Sequence, residues 1–438
     1  MKFQQGTRSW GEALRVYSRP EVVRMLFLGF SAGLPLLLVF STLTAWLQDL
    51  DVSRSSIGFF GWVGITYSIK VFWAPVVDRI RIPWLTEKFG QRRSWILMGQ
   101  LGIMLGLVAM VLVDPKASLS NFAICAVIVA FSSSTQDVAI DAFRIESAAD
   151  EIQGALAAGY QFGYRSAMLV AGAGALYIAD IYSWNTAYFF MAALMFVGIG
   201  TVLVIPEPAR DDKDKPKSIK SEKTGKWDRL IHWFQVAFMA PFIEFFKRNG
   251  SYALIILTFI AVFRLSDIAM GIMANPFYLD MGFTKTEIAS ISKIFGFFMT
   301  LLGAFLGGLC VVRYGAHRPL LLAAGLTAVT NLLFVNLANM GHDINGLVMA
   351  ISADNISGGF AGAVFIAYLS SLTNRAFTAT QYALFTSLMT LPGKFFSGFS
   401  GIIVDATSYQ VFFTYAALMG IPAIVLSWML WKKAGHAT

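Results

Sequence analysis

Charge is scarce in this sequence. Only 14% of its 438 residues are Asp, Glu, Lys or Arg, against roughly a quarter in a soluble domain. Histidine is scarcer: His232, His317, His342 and His436 all fall in loops or tails, which leaves no histidine for a metal centre or a catalytic dyad inside an apolar run. The two cysteines, Cys125 and Cys310, lie in different apolar stretches and exclude a disulfide framework. They read as buried free thiols. Residues 1–21 are polar, and no short apolar segment leads to a small-residue cleavage site. The first apolar run is long enough to be a spanning helix rather than a signal peptide. Nothing in this pattern implies a metal or a cofactor.

What is abundant is apolar. Hydrophobic residues make up 56% of the chain, with 38 Phe and 38 Gly, and the mean hydropathy is +0.63. A soluble core of this size cannot absorb that much apolar surface, whereas a bilayer is itself the apolar solvent. Glycine suits close helix packing in lipid. Runs of about 20 apolar residues fall at 22–47, 55–77, 94–113, 119–143, 154–179, 185–205, 251–279, 286–311, 319–340, 345–373, 380–404 and 410–431. Twelve spans put both termini on one side. If that side is the cytoplasm, 26 Lys and Arg lie inside, three lie outside (Arg54, Lys116 and Lys285) and five lie within spans. Positive charge marks the cytoplasmic side of a membrane protein. The basic balance is therefore topological and does not point to nucleic acid.

The domain plan that follows has a cytoplasmic segment at 1–21, a six-helix bundle at 22–205, a linker at 206–250, a second bundle at 251–431 and a cytoplasmic tail at 432–438. The linker opens with Pro206-Glu207-Pro208 and a mixed-charge stretch that cannot bury anything. Residues 226–247 then read as an amphipathic helix in the inner interface, which Pro241 is expected to interrupt. The two bundles repeat each other. Leu47-Gln48-Asp49-Leu50-Asp51-Val52-Ser53-Arg54-Ser55 follows span one, and Tyr278-Leu279-Asp280-Met281-Gly282-Phe283-Thr284-Lys285-Thr286 follows span seven. Phe89-Gly90-Gln91-Arg92-Arg93 is matched by Tyr314-Gly315-Ala316-His317-Arg318. Such internal symmetry resembles the major facilitator fold, an all-α membrane protein with twelve transmembrane helices in two six-helix halves. Asp78-Arg79 with Gly90-Gln91-Arg92-Arg93 resembles that superfamily's signature, which implies a cytoplasmic latch of Asp78, Arg79, Arg92 and Arg93. Here an insertion from Ile80 to Phe89 separates its two parts.

Ionisable side chains at bilayer depth cost about 2.5–3.5 kcal/mol each and default to a functional reading. The basic set is Lys70, Arg165, Arg264, Lys293 and Lys394. The acidic set is Asp78, Asp137, Asp141, Asp267 and Asp354. Asp137 and Asp141, four apart, share a helix face within a polar stripe in span four. Two close carboxylates in low dielectric raise the proton affinity of at least one, as a proton-coupled carrier requires; Asp141 also suits a solvated cap or a structural pair. Arg264 and Asp267 can pair on one face, as a structural or a functional unit. Asp354-Asn355 holds the place in span ten that Gln136-Asp137 holds in span four. Arg165, Lys293 and Lys394 have no acidic partner within a turn, so each pairs across helices or meets an anionic ligand. Gln136, Gln161 and Asn355 add amides. Trp62 and Tyr164 offer rings for sugar faces, whereas Trp46 and Trp73 suit interfacial anchoring.

Further runs of residues carry a narrower likeness. Ser31-Ala32-Gly33-Leu34-Pro35-Leu36, Ser134-Thr135-Gln136-Asp137-Val138-Ala139-Ile140-Asp141-Ala142, Gly163-Tyr164-Arg165, Asn355-Ile356-Ser357-Gly358-Gly359 and Ala379-Thr380-Gln381-Tyr382-Ala383-Leu384 resemble the AmpG muropeptide permeases, over about residues 20–405. The resemblance implies import of N-acetylglucosaminyl-1,6-anhydro-N-acetylmuramic acid, with or without a stem peptide, across the bacterial inner membrane. In that family import is driven by protons, serves peptidoglycan recycling and feeds β-lactamase induction. It implies proton-linked Asp137 and Asp141, with Arg165 and Lys293 for the ligand's carboxylates; the residues read above add Asp267 and Asp354 to the proton-coupling set, and Lys70, Lys394, Gln136, Asn355, Trp62, Tyr164 and Gln161 to the substrate-binding set. The expected partners are the muropeptide, protons and the bilayer, and the expected state is a monomer. Some of these permeases carry two further C-terminal helices, whereas this sequence ends after span twelve. The same side chains also suit another anionic solute, such as acetyl-CoA or a siderophore. A membrane-embedded enzyme and a non-transporting sensor are the remaining classes.

Overall fold

The computed structural model describes residues 10–50, 52, 60–208, 239–284, 287–397 and 400–436. Every regular element among them is helical. The principal helices are α1 (Pro20–Leu38), α2 (Ala74–Arg79), α3 (Gln91–Leu112), α4 (Leu119–Glu146), α5 (Gln153–Leu169), α6 (Trp184–Val204), α7 (Leu265–Asp280), α8 (Gly296–Tyr314), α9 (His317–Met340), α10 (Ile344–Leu372), α11 (Thr378–Ser397) and α12 (Tyr409–Met419). Among the described residues, nine helical stretches are long and apolar enough to cross a membrane. The three expected spans outside that set contain α2, α5 and α11. These are the segments interrupted by polar residues or irregular backbone. Span two is a chain of short turns around Lys70. A π-helical turn, Val170–Gly174, ends α5. Pro392 and Lys394 sit within α11.

The outward side chains fit a lipid surroundings. Leu105, Phe189, Phe196 and Val329 are each at least 60% exposed, more apolar surface than water tolerates in patches. Inside, α5 packs along α1 and α10 along α8. Both contacts bring backbones together. A Cβ at Gly163 would run into the Leu26 carbonyl, and one at Gly303 into the Ile356 carbonyl. Only glycine permits that approach.

The packing repeats. α4 and α6 pack on α3, as α10 and α12 pack on α9. The N-terminal and C-terminal helices meet where α5 touches α8 and α10, and where α11 touches α2 and α4. The seam is not equally filled along its length. Two apolar clusters belong wholly to one set of helices, one around Leu34, Trp46, Phe122 and Tyr188, the other around Phe277, Phe334, Leu347 and Phe413. The two clusters at the other end cross the seam. One joins Val138 and Ile152 to Leu309, Val312, Ala379 and Ala383, and the other takes Ile145 in among C-terminal residues. Among the described residues, apolar packing thus closes the seam at the end where α4 finishes and leaves it parted at the opposite end.

The linker helix begins at Ala240, and residues 209–238 lie outside the described residues. Pro241 stands at the very start of the described helix, and the earlier part of the expected 226–247 helix is not among the described residues. The proline occupies the first turn, where a missing N–H costs no hydrogen bond. Ile243 and Phe246 are exposed, while Phe245 is buried against Phe385. Glu244 accepts from Gln381 (2.7 Å) and Asn374 (2.8 Å), so this helix is fastened to the start of α11. The tips of the two repeated hairpins also fall outside the described residues. Cys125 and Cys310 are free thiols.

Candidate functional site

The polar stripe of α4 faces inward. Asp137 and Asp141 are 8% and 9% exposed, and their spacing of four puts both on one face. Oδ1 of Asp137 has no hydrogen-bond donor among the described residues. A buried carboxylate oxygen without a donor is costly unless a proton or a water satisfies it. Lys70 is the cation whose field reaches both carboxylates. The rings of Tyr160 and Tyr164, 5.8 Å apart on α5, lie in the same field.

A second charged group comes from the C-terminal helices. Arg264 interrupts the helical run between Phe263 and Leu265. Its Nε lies 3.5 Å from Asp267 Oδ2, and both side chains are partly exposed. Asp354 on α10 faces this pair. Arg165 on α5 lies between the two groups, within reach of Tyr164 and Arg264. It is enclosed by the bundle yet accessible to solvent, as a side chain lining a concave opening must be. Among the described residues no carboxylate pairs with it. Two guanidiniums from opposite sides of the seam, both reached by solvent, therefore lie in one another's field, an arrangement suited to a bound anion.

The other expected residues are distributed around this centre. Lys394 Nζ donates to Ser68 Oγ at 2.9 Å, across the seam and within the field of Lys70. Lys293 is exposed on a π-helical turn, Ile288–Phe295, that leads into α8. Gln161 abuts Gly362 of α10. Gln136 is fully buried and donates to the Ser31 carbonyl (3.0 Å). Asn355 accepts from Thr300 Oγ1 (2.8 Å) and donates to the Ile351 carbonyl (3.0 Å). Both amides tie helices together. The side chain of Trp62 lies outside the described residues.

The closed end is built from α2, α3, α4 and α11. Gln91 donates to the carbonyls of Val77 (3.0 Å) and Ile80 (2.8 Å), and Trp95 Nε1 to Ile80 (2.9 Å). These bonds fold the inserted residues aside, so that Arg92 reaches Asp78 at 2.7 Å. Arg92 also binds Glu146 at 2.7 Å. Asp78 then spans the seam. It accepts from Ala379 N (3.0 Å), Thr380 N (2.8 Å) and Thr380 Oγ1 (2.7 Å), which caps the N-terminus of α11 with a negative charge. Glu146 accepts from Thr378 Oγ1 at 2.6 Å. Arg79 lies over the Phe377 ring. Arg93 faces away from Asp78. It donates to the carbonyls of Val202 (2.8 Å) and Leu203 (3.0 Å) at the end of α6, while Glu207 accepts from the amides of Arg92 (2.7 Å) and Arg93 (3.1 Å). Burial pushes the Glu207 carboxyl above the usual glutamate range, against the pull of those amides. Glu146, Thr378, Thr380 and Arg144 are absent from the sequence-based set. A carboxylate and an arginine at the end of a span look like ordinary boundary charge, and two threonines give no signal until the seam brings them opposite Asp78.

The sequence matches the Major Facilitator Superfamily over residues 25–393. It is 32% identical over 415 residues to the anhydromuropeptide permease of Escherichia coli K12, covering 94% of this chain and 80% of that protein. It is also 32% identical over 419 residues to putative transporter AmpG 4 of Rickettsia felis, covering 96% of this chain and 98% of that one. Among solved structures, the proton:xylose symporter XylE bound to 6-bromo-6-deoxy-D-glucose superposes with a TM-score of 0.68 at 14% identity, over 96% of both chains. The transporter FucP in its outward conformation gives 0.65 at 12% identity, over 95% of this chain and 99% of that one.

Proposed function

The chain belongs to the major facilitator superfamily as a relative of the AmpG permeases, and from that premise we propose that it imports anhydromuropeptides together with protons. It has no enzymatic role. Twelve spans form two six-helix halves, 22–205 and 251–431, joined by the 206–250 linker. Both termini are cytoplasmic, in a bacterial inner membrane. In this orientation the closed end faces the cytoplasm and the parted end faces the periplasm, so the cavity is open to substrate.

The observation that supports the reading is the charged opening itself. A buried carboxylate pair, Asp137 and Asp141, stands beside two guanidiniums from opposite halves, Arg165 and Arg264. The muropeptide offers carboxylates, amides and sugar faces. Arg165 grips a carboxylate in two-pronged fashion, Lys70, Lys293 and Lys394 supply further positive charge, and Tyr164 and Gln161 line the same wall. Asp137 and Asp141 carry the proton, with Asp267 and Asp354 as the matching group in the second half. Substrate and proton load from the periplasm, the Asp78–Arg92–Glu146 latch yields, and both leave to the cytoplasm.

The test is uptake of labelled anhydromuropeptide into proteoliposomes under an inward proton gradient. Wild-type protein accumulates the ligand, and Asp137→Asn loses accumulation while keeping counterflow exchange. Proton-driven uptake of acetyl-CoA or a siderophore without muropeptide uptake assigns the carrier to another anionic solute. Normal accumulation by Asp137→Asn removes the proton role.

A further inference from the structure

Arg144 is a fully buried cation that neither the latch nor the central cavity accounts for. It lies on α4 between Asp141 and Glu146 and is 0% exposed. Its Nη2 is 3.5 Å from Asp141 Oδ1. Its Nη1 donates to Ser370 Oγ of α10 at 2.7 Å and to Gln153 Oε1 of α5 at 3.3 Å. Its guanidinium carbon lies 5.1 Å from the ring centre of Tyr382 on α11. Nε has no acceptor among the described residues. One guanidinium therefore touches a central carboxylate on one side and two C-terminal helices on the other.

The charges around it leave a single counter-ion. On its own helix, Glu146 is held by Arg92 and Thr378. Asp78 of α2 is held by Arg92 of α3 and by α11. α5 presents neutral Gln153, α10 presents Ser370, and α11 presents the Tyr382 ring. Arg313 of α8 lies over the Tyr314 ring. Arg375, before α11, donates to the Ala148 carbonyl, and Asp150 lies in the field of Arg375. Among the described residues, Asp141 alone gives Arg144 a carboxylate; Asp141 itself also faces Asp137 one turn back on α4, the field of Lys70 from span two, Tyr160 and Tyr164 of α5 and Tyr382 of α11.

We infer that Arg144 couples proton occupancy of Asp141 to closure of the cytoplasmic end. With Asp141 ionised, the pair holds Arg144 inside the seam, where it fastens Ser370 and Tyr382 to α4. A proton on Asp141 leaves a buried guanidinium without a counter-ion, a state that folded proteins avoid. Arg144 then withdraws towards water, and α10 and α11 lose that fastening. The Asp78–Arg92–Glu146 latch remains as a second bolt, so a proton alone loosens the end and does not throw it open. The contacts alone make Arg144 a positioning residue that never meets the substrate. The coupling it is given rests on the proton role of Asp141 proposed above.

The experiment measures distance rather than transport, so it stands apart from the identity of the substrate. Spin labels at Glu87→Cys and Arg318→Cys, with Cys125 and Cys310 replaced by alanine, report the separation of the two halves at the closed end. Protein in lipid nanodiscs is measured from pH 5.5 to 8.5 by double electron–electron resonance. Wild-type protein gains a longer-distance population as pH falls. Asp141→Asn shows that population at every pH. Arg144→Gln shows it too, with the open fraction raised at least about tenfold relative to closed at pH 8 and the pH response lost. The double variant opens no further than either single one. Arg144→Lys keeps the charge and the fold but not the fork, and shows a weakened closed state that still responds to pH. A pH response that survives intact in Arg144→Gln overturns the coupling alone. A wild-type protein insensitive to pH overturns it together with the proton role of Asp141.

Discussion

Replacing Asp78 by asparagine is expected to open the cytoplasmic end. The carboxylate accepts three hydrogen bonds from across the seam, from Ala379 N, Thr380 N and Thr380 Oγ1, and a fourth from Arg92 on its own side. The residue is 3% exposed, so water does not stand in for a lost partner. Asparagine keeps one acceptor oxygen and turns the other into a donor, which then faces the donors of α11 or of Arg92. At least one charge-assisted bond across the seam is lost, worth about 1.5–3 kcal/mol. The N-terminus of α11 also loses its complementary charge, worth about 0.3–1 kcal/mol. These contacts exist only when the end is closed. Their loss, about 2–4 kcal/mol in all, therefore acts on the closed state alone and shifts the closed-to-open ratio by about 30- to 800-fold. Arg92 retains Glu146 in either state, which spares the variant an orphaned buried cation. Labels at positions 87 and 318 read the result directly. A distance distribution indistinguishable from wild type, in protein that elutes and melts normally, refutes the latch.

Further expectations use different observables. Arg165→Ala raises the KM for muropeptide about 10- to 100-fold, and Arg165→Lys raises it less, because lysine keeps the charge and loses the two-pronged geometry; equal KM values for all three proteins in the uptake assay remove Arg165 from the ligand set. Gly163→Val forces α1 and α5 apart at the Leu26 carbonyl and lowers the melting temperature, with a cost of at least about 1–3 kcal/mol; a normal melt shows that the two backbones are not in contact. Glu207 holds its proton more tightly folded than unfolded, so its share of stability is present at acid pH and is lost as pH rises past the ordinary glutamate range. Glu207→Gln is accordingly expected to flatten the pH dependence of the melting temperature above the ordinary glutamate range, and an unchanged slope contradicts the burial of that carboxyl.

The sequence carried the all-α, multi-span membrane character because hydropathy over 20 residues is a strong signal and glycine marks close packing. It carried the pairing of Arg264 with Asp267, and the shared face of Asp137 and Asp141, because both follow from helical spacing. What it did not carry depends on the seam. Gln136 and Asn355 read as ligand groups; in the structure Gln136 Nε2 donates to the Ser31 carbonyl and Asn355 Oδ1 accepts from Thr300, each a contact between helices. Nothing in the local pattern separates an amide aimed at a cavity from one aimed at a backbone carbonyl. Arg93 sits in the latch motif beside Arg92, but successive residues on a helix point about 100° apart, and only Arg92 faces Asp78. The insertion from Ile80 to Phe89 looked like an obstacle to the latch. Bonds from Gln91 and Trp95 to Ile80 turn it outward and leave the Asp78–Arg92 distance short.

The segments with the weakest membrane signal are also the ones that do the work of joining the halves. Among the described residues, α2, α5 and α11 fall outside the stretches apolar enough to cross by composition, and these helices, with α8, form most of the seam. The coincidence has a physical cause. A helix that must slide against the opposite half needs polar contacts that break and re-form, such as those of Asp78 with α11 and of Lys394 with Ser68. It needs backbone irregularities that absorb the motion, such as the π turn at Val170–Gly174. Both lower its hydropathy or break its length. Helices that face lipid, such as α3 and α6, meet no such demand and score as plain spans. Low apolarity at spanning length therefore marks the interface between the halves at α2, α5 and α11 in this chain.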